Sequence, residues 1–260
     1  MLHHHLSPAA LWFPLAAVVV LAGSLLLYTA LAAWTNRRYK QWPLRRYLFW
    51  FSGVAAAGIS LVGPLADAAH RSFSAHMAGH LLLGMLAPLL LLYGKPLTLL
   101  MRSLPIKPAR HLSRLLNSRY ISIVSHPVMT ALLNFGGLFI LYRTDLFVWM
   151  HQSVWVYALV HIHVLLAGYV FNWSILYADL TVHRHSFRLR AVVLIVALAA
   201  HKVLAKTLYA APPTGVATRD GEMGALIMYY GGDGIDLALI VLFCYSWYKA
   251  AAPGRIARAV

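Results

Sequence analysis

The run His76–Pro96, HMAGHLLLGMLAPLLLLYGKP, is apolar enough to cross a lipid bilayer, and it carries two histidines in its first turn. A spanning helix needs about 20 predominantly apolar residues. Hydrocarbon offers a backbone no water, so such a run must be a helix that satisfies its own hydrogen bonds. The i, i+4 spacing stacks His76 and His80 on one face of that helix. Ionisable side chains inside a span are costly, which marks the pair as a candidate functional site.

Similar apolar runs recur along the chain. The predicted spans are 11–34, 47–62, 76–93, 121–141, 151–176, 191–209 and 225–248. The chain therefore reads as all-α, a polytopic membrane helix bundle of about seven transmembrane helices, with residues 1–260 as a single integral membrane domain. Composition agrees, since 61% of residues are hydrophobic and only 11% charged, against roughly 25% charged in soluble domains. Trp12 and Trp34 bracket the first run at headgroup depth. Nothing basic precedes that run and no cleavage pattern follows it, so it is expected to be a span rather than a removed signal peptide.

Lys and Arg number 22 against 7 Asp and Glu. Such an excess can serve nucleic acid, but here it is confined to alternate connections. Arg37, Arg38, Lys40, Arg45 and Arg46 follow the first span, and Lys95, Arg102, Lys107, Arg110, Arg114 and Arg119 follow the third. Arg184, Arg188 and Arg190 follow the fifth, and Lys249, Arg255 and Arg258 follow the last. The intervening loops hold only Arg71, Arg143 and Arg219. The positive-inside rule then gives an N-out/C-in orientation in a bacterial plasma membrane, with no nucleic-acid partner. Asp67, Asp145, Asp220 and Glu222 fall to the outer loops, where they would concentrate cations. Pro96, Pro105 and Pro108 cut the long basic connection into short pieces, part of which is expected to lie along the membrane surface.

The only cysteine, Cys244, excludes an intrachain disulfide and a Cys-x-x-Cys metal site. Histidine is abundant, at 14 residues, and methionine numbers 8. In the predicted topology His76 and His80 lie at the outer end of the third span, beside Met77, with Met150 and His151 at the mouth of the fifth. His161 and His163 follow deeper; at i, i+2 they point apart, so one of them faces any shared site. His201 lies roughly 12 Å below the outer end of the sixth span. Imidazole and thioether suit copper, and three spans converging on one centre make a metal site of His76, His80, His161 or His163, and His201. In the last span Gly231-Gly232-Asp233-Gly234-Ile235-Asp236 is expected to weaken the helix. Asp233 beside His201 is read as an anionic ligand or orienting partner. Asp236 is read as the intramembrane counter-ion of Lys206.

Other histidines are assigned no ligand role. His111, His126, His183 and His185 fall on the inner side, the last two among arginines that would repel a cation, and His3-His4-His5 is read as an incidental feature of the terminus. An enzyme is not expected. A zinc peptidase would place Glu directly after the first histidine, where Met77 stands, and the chain's one Glu is Glu222. A membrane desaturase would need further histidine boxes on the inner side.

Several short motifs together resemble the polytopic CtaG family of cytochrome c oxidase assembly proteins. They are His76-x-x-x-His80 before a Leu-rich run, Ala87-Pro88-Leu89 and Gly94-Lys95-Pro96. His163, Gly168, Phe171 and Trp173 give H-x4-G-x2-F-x-W, and His201, Asp220, Gly224 and Met228 complete the set. The resemblance implies maturation of a haem–copper oxidase, with copper handled at the outer membrane face. Partners would be the lipid bilayer, the copper ion, and an oxidase subunit or a periplasmic copper chaperone. Two alternatives stand beside it. Facing imidazoles on different helices can ligate haem iron in a redox protein, and Asp233, Asp236, Lys202 and His201 could serve a cation or proton transporter.

Overall fold

The computed structural model describes residues 8–251, so His3–His5 lie outside the described residues. The chain there forms twelve helices and no strand: α1 (Pro8–Asn36), α2 (Leu44–Leu61), α3 (Pro64–Ala69), α4 (Phe73–Tyr93), α5 (Pro96–Ser103), α6 (Ile106–Leu116), α7 (Arg119–Val124), α8 (Pro127–Arg143), α9 (Leu146–Gln152), α10 (Val154–Leu176), α11 (Phe187–Ala210) and α12 (Thr218–Ala251).

Five of these, α1, α4, α10, α11 and α12, are long and apolar enough to cross a membrane. A sixth span results if α8 and α9, bent 78° to each other, are taken together. The predicted second span falls on α2, which is only 18 residues and opens on Arg45 and Arg46. At 1.5 Å per residue it is roughly 27 Å long, just short of the hydrocarbon thickness. The basic connection is broken at its prolines into α5, α6 and α7, as expected. In α6, Ile106 and Leu115 stay exposed on a helix bearing Lys107, Arg110 and Arg114, the pattern of an interfacial helix.

Helix starts are set by caps that lie outside the apolar runs. The Ser72 hydroxyl accepts from Ala75 N, and Asp220 accepts from Phe73 N at 2.6 Å and from Ser74 N and Ser72 Oγ, both at 3.1 Å. These bonds satisfy the orphan amides of α4 and start it three residues before His76. Asp179 does the same for α5, accepting from Leu97 N at 2.8 Å and Thr98 N at 3.1 Å. Lys95, in the left-handed region at φ 55°, makes the turn that points those amides at it.

One end of the bundle gathers Phe13, the 63–72 connection, α9 and the 211–217 loop, through contacts such as Phe13–Tyr157 and Arg143 to Ala211 O. The other gathers the basic connections. There Tyr28 donates to Gly94 O at 2.6 Å, accepts from Trp42 Nε1 at 2.9 Å and stacks on Trp50. The main core joins α4 and α8 through α12, while α1 and α2 lean against its side. Small residues allow that approach: Ala56 and Ala57 of α2 pack on Leu83 and Ala87 of α4. Gly168 of α10 comes closer still, since a Cβ there would stand 2.2 Å from the Gly84 carbonyl oxygen.

Three of the long helices widen locally into π-helical turns, at Leu81–Leu86, Leu132–Gly136 and Ile227–Gly231. Such turns are rare and recur at functional sites. The expected weakness of the last span is therefore displaced by one turn. Gly232 and Gly234 sit in regular helix, and the widened turn precedes them.

Candidate functional site

The widened turns of α4 and α8 both line a small cavity of about 20 Å³, walled mostly by apolar side chains. His80, Met85, Asn134, Asn172, His201 and Asp236 contribute to it. Its volume is about that needed for one water-sized occupant. His80 is 8% exposed and His201 only 1%. Their ring centres stand 6.4 Å apart. Among the described residues neither nitrogen of His201 has a hydrogen-bond partner, nor does His80 Nε2, nor Asp236 Oδ2. Buried polar atoms are normally bonded, and a cluster of orphans in one cavity is uncommon. Gly232 makes the arrangement possible, because a Cβ there would meet the His201 ring at 2.9 Å.

A second cavity of about 20 Å³ adjoins on the side of the 63–72 connection, lined by His76, His80, Tyr142 and His161. His76 Nε2 is 3.0 Å from the Tyr142 hydroxyl, and its ring is 6.5 Å from that of His161. His161 Nδ1 bonds Tyr157 O at 2.8 Å. A carbonyl only accepts, so Nδ1 carries a proton and, in the neutral ring, the lone pair is on Nε2. Of the two neighbours in α10, His161 faces the cavities. His163 points the other way and donates from Nε2 to Leu133 O at 3.1 Å, in the widened turn of α8. A π turn displaces carbonyls from their regular partners, and His163 serves one of them.

The acidic pair exchanges its expected roles. Asp233 lies outside the cavity, with a half-exposed side chain whose Oδ1 is 2.5 Å from Lys202 Nζ. Lys202 also donates to Tyr229 O at 2.5 Å. Asp236 is the cavity residue, its Oδ2 4.0 Å from His201 Nδ1. Lys206 meets no carboxylate among the described residues and stands 5.9 Å over the Tyr229 ring. The reason is helical rotation. Residues three apart differ by roughly 60° around the axis, enough for one to face the bundle and the other its surface. His201 turned inward leaves Lys202 beside Asp233.

Met85 and the two asparagines had no signal in residue spacing. A regular helix brings position 84 under His80, and the wider turn also rolls Met85 toward the cavity. Among the described residues no three His, Cys, Asp or Glu side chains stand close enough to hold a metal ion together. What the cavity offers is a pair of imidazoles, with a thioether and a carboxylate beside them.

Fold and site thus define a multi-pass, all-helical membrane protein with a buried histidine array between its helices. The chain belongs to the cytochrome c oxidase caa3 assembly factor family (Caa3_CtaG), whose family model matches residues 26–250. It is 37% identical over 171 residues to uncharacterized proteins of Mycobacterium bovis and Mycobacterium tuberculosis, covering 63% of this chain and 25% of each of theirs. An uncharacterized Mycobacterium leprae protein is 33% identical over 151 residues, 55% of this chain and 23% of that one. The chain spans about a quarter of the length of the curated relatives it matches. No solved structure matches it. The family motifs gain physical roles: Gly168 allows contact with α4, Phe171 lines the cavity, and Asp220 caps α4.

Proposed function

We propose that this protein holds copper as cargo between His80 and His201 and makes it available for maturation of a haem–copper oxidase. The observation that carries the reading is the unpartnered pair itself. An ion bound by one nitrogen of each imidazole at about 2.0 Å sets the ring centres roughly 6 Å apart, and these stand 6.4 Å apart. Two imidazoles with a nearby thioether suit a soft cation in low coordination, which exchanges readily. Asp236 Oδ2, 4.0 Å from His201 Nδ1, is beyond hydrogen-bond range and would close on it to orient the ring when an ion binds Nε2. Asp233 and His163 are left out of the ligand set, because each is engaged outside the cavity. The space between the rings is far too small for a haem macrocycle.

In this reading the protein is not a catalyst, and its partner is an oxidase subunit or a copper chaperone. It sits in a bacterial plasma membrane with the histidine end outward. Seven passes are supported by α2, which starts at the basic end near Tyr28 and ends where Leu61 lines a cavity with Phe13. The basic end would face the cytoplasm.

Copper analysis of protein purified without an affinity tag tests the reading. About one ion per chain is expected, falling about tenfold or more in His80→Ala and His201→Ala. His183→Ala and His111→Ala should leave it unchanged. His80→Gln, which keeps a polar side chain of similar size, guards against loss through misfolding. Equal copper in wild type and the double variant His80→Ala/His201→Ala would overturn the assignment.

A further inference from the structure

We propose that His70, His151, His76 and His161 form a ladder along which copper passes, one imidazole pair at a time, from the outer mouth to the buried pair. The inference rests on the copper reading above and concerns its route. Successive ring centres are nearly evenly spaced: His70–His151 6.4 Å, His151–His76 6.3 Å and His76–His161 6.5 Å. His161 and His80 then line the same small cavity, and His80–His201 returns to 6.4 Å. These four ring-centre distances match the spacing of roughly 6 Å at which one ion can be shared by two imidazoles. The ladder begins in the open. His70 and His151 both line two mouth cavities of about 420 and 200 Å³.

Two features separate this arrangement from histidines that merely tie helices together. A histidine used as glue bonds across to a neighbouring helix. His151 and His161 instead bond their own helices, through Nδ1 to Phe147 O and Tyr157 O, both at 2.8 Å. A carbonyl acceptor holds a proton on Nδ1, so in the neutral ring of each the lone pair that ligates is on Nε2. The second feature is the collar around His76. Phe73, Tyr142 and Phe147 pack on its ring and exclude a hydrated ion. A cation passing that collar must exchange water for imidazole. The Tyr142 hydroxyl, 3.0 Å from His76 Nε2, must yield as it does so.

The test separates rate from end point. Cu(I) supplied from a buffered chelator is loaded into the protein in detergent, with His3, His4 and His5 replaced by alanine to remove the terminal cluster. His151→Ala and His161→Ala should slow loading at least about tenfold each, with the wild-type end point still reached. Tyr142→Phe, which frees His76 Nε2, should speed it. His80→Ala should instead lower the end point. Loading of His151→Ala and His161→Ala within twofold of wild type would overturn the ladder and leave the buried site standing. A wild-type protein that takes up no copper would overturn the copper reading, and the ladder with it.

Discussion

Lys202 Nζ lies 2.5 Å from Asp233 Oδ1, on the outer surface of the helix pair whose inner surface holds His201 and Asp236. Adjacent residues of α11 thus do different work. Lys202 joins α11 to α12 through a charge pair and through the Tyr229 carbonyl, while His201 faces the cavity.

The separation predicts distinct phenotypes. Asp233→Asn leaves Lys202 without its counter-ion, a cost of roughly 3 kcal/mol at the centre of a span. Membrane abundance and melting temperature should fall, and Lys202→Met in the same chain should restore much of the loss. Copper bound per folded molecule should not change. A double variant no more stable than Asp233→Asn alone would remove the pair from the structural account.

Asp220 stands where α12 begins and serves the start of α4. Its two oxygens accept from Ser72, Phe73 and Ser74. Asp220→Ala should cost about 1–2 kcal/mol, the usual range for a lost N-cap, read as a lower unfolding midpoint in detergent. Asp220→Asn, which keeps one acceptor, should cost less. Equal stability of Asp220→Ala and wild type would mean that water caps α4 as well as the carboxylate does.

Gly168 and Gly23 make a matched pair. A Cβ at Gly168 would lie 2.2 Å from the Gly84 carbonyl, whereas one at Gly23 meets nothing within 4 Å. Gly168→Val should push α10 off α4 and cost more than about 4 kcal/mol, the range of severe core disruption. Gly23→Ala should be neutral or stabilising by up to about 1 kcal/mol, because alanine is the better helix former. A tolerated Gly168→Val would show that α4 and α10 do not pack through this contact.

Orientation is tested by reporter fusions. A reporter after Val260 should be active only in the cytoplasm, and one inserted in the 211–217 loop only outside. The opposite pattern would place the mouth cavities, with His70 and His151, on the cytoplasmic side.

Sequence alone determined the helical membrane class, because bilayer-length apolar runs leave the backbone no other way to satisfy its hydrogen bonds. It also located the basic end, and it singled out His76, His80 and His201, since ionisable groups in such runs stand out against their surroundings. The i, i+2 spacing of His161 and His163 told that one of them faced inward. It did not tell which, because that depends on how α10 rotates against α4, and Gly168 sets the rotation through a contact 84 residues distant from Gly84. The roles of Asp233 and Asp236 were likewise a matter of helix rotation, resolved only when His201 turned inward beside Gly232. Met85 entered the cavity through a widened turn that no residue spacing announces. The row of histidines from His70 to His201 joins five separate helices or connections. Their contacts are non-local, so tertiary packing decided the ladder, while the sequence supplied its rungs.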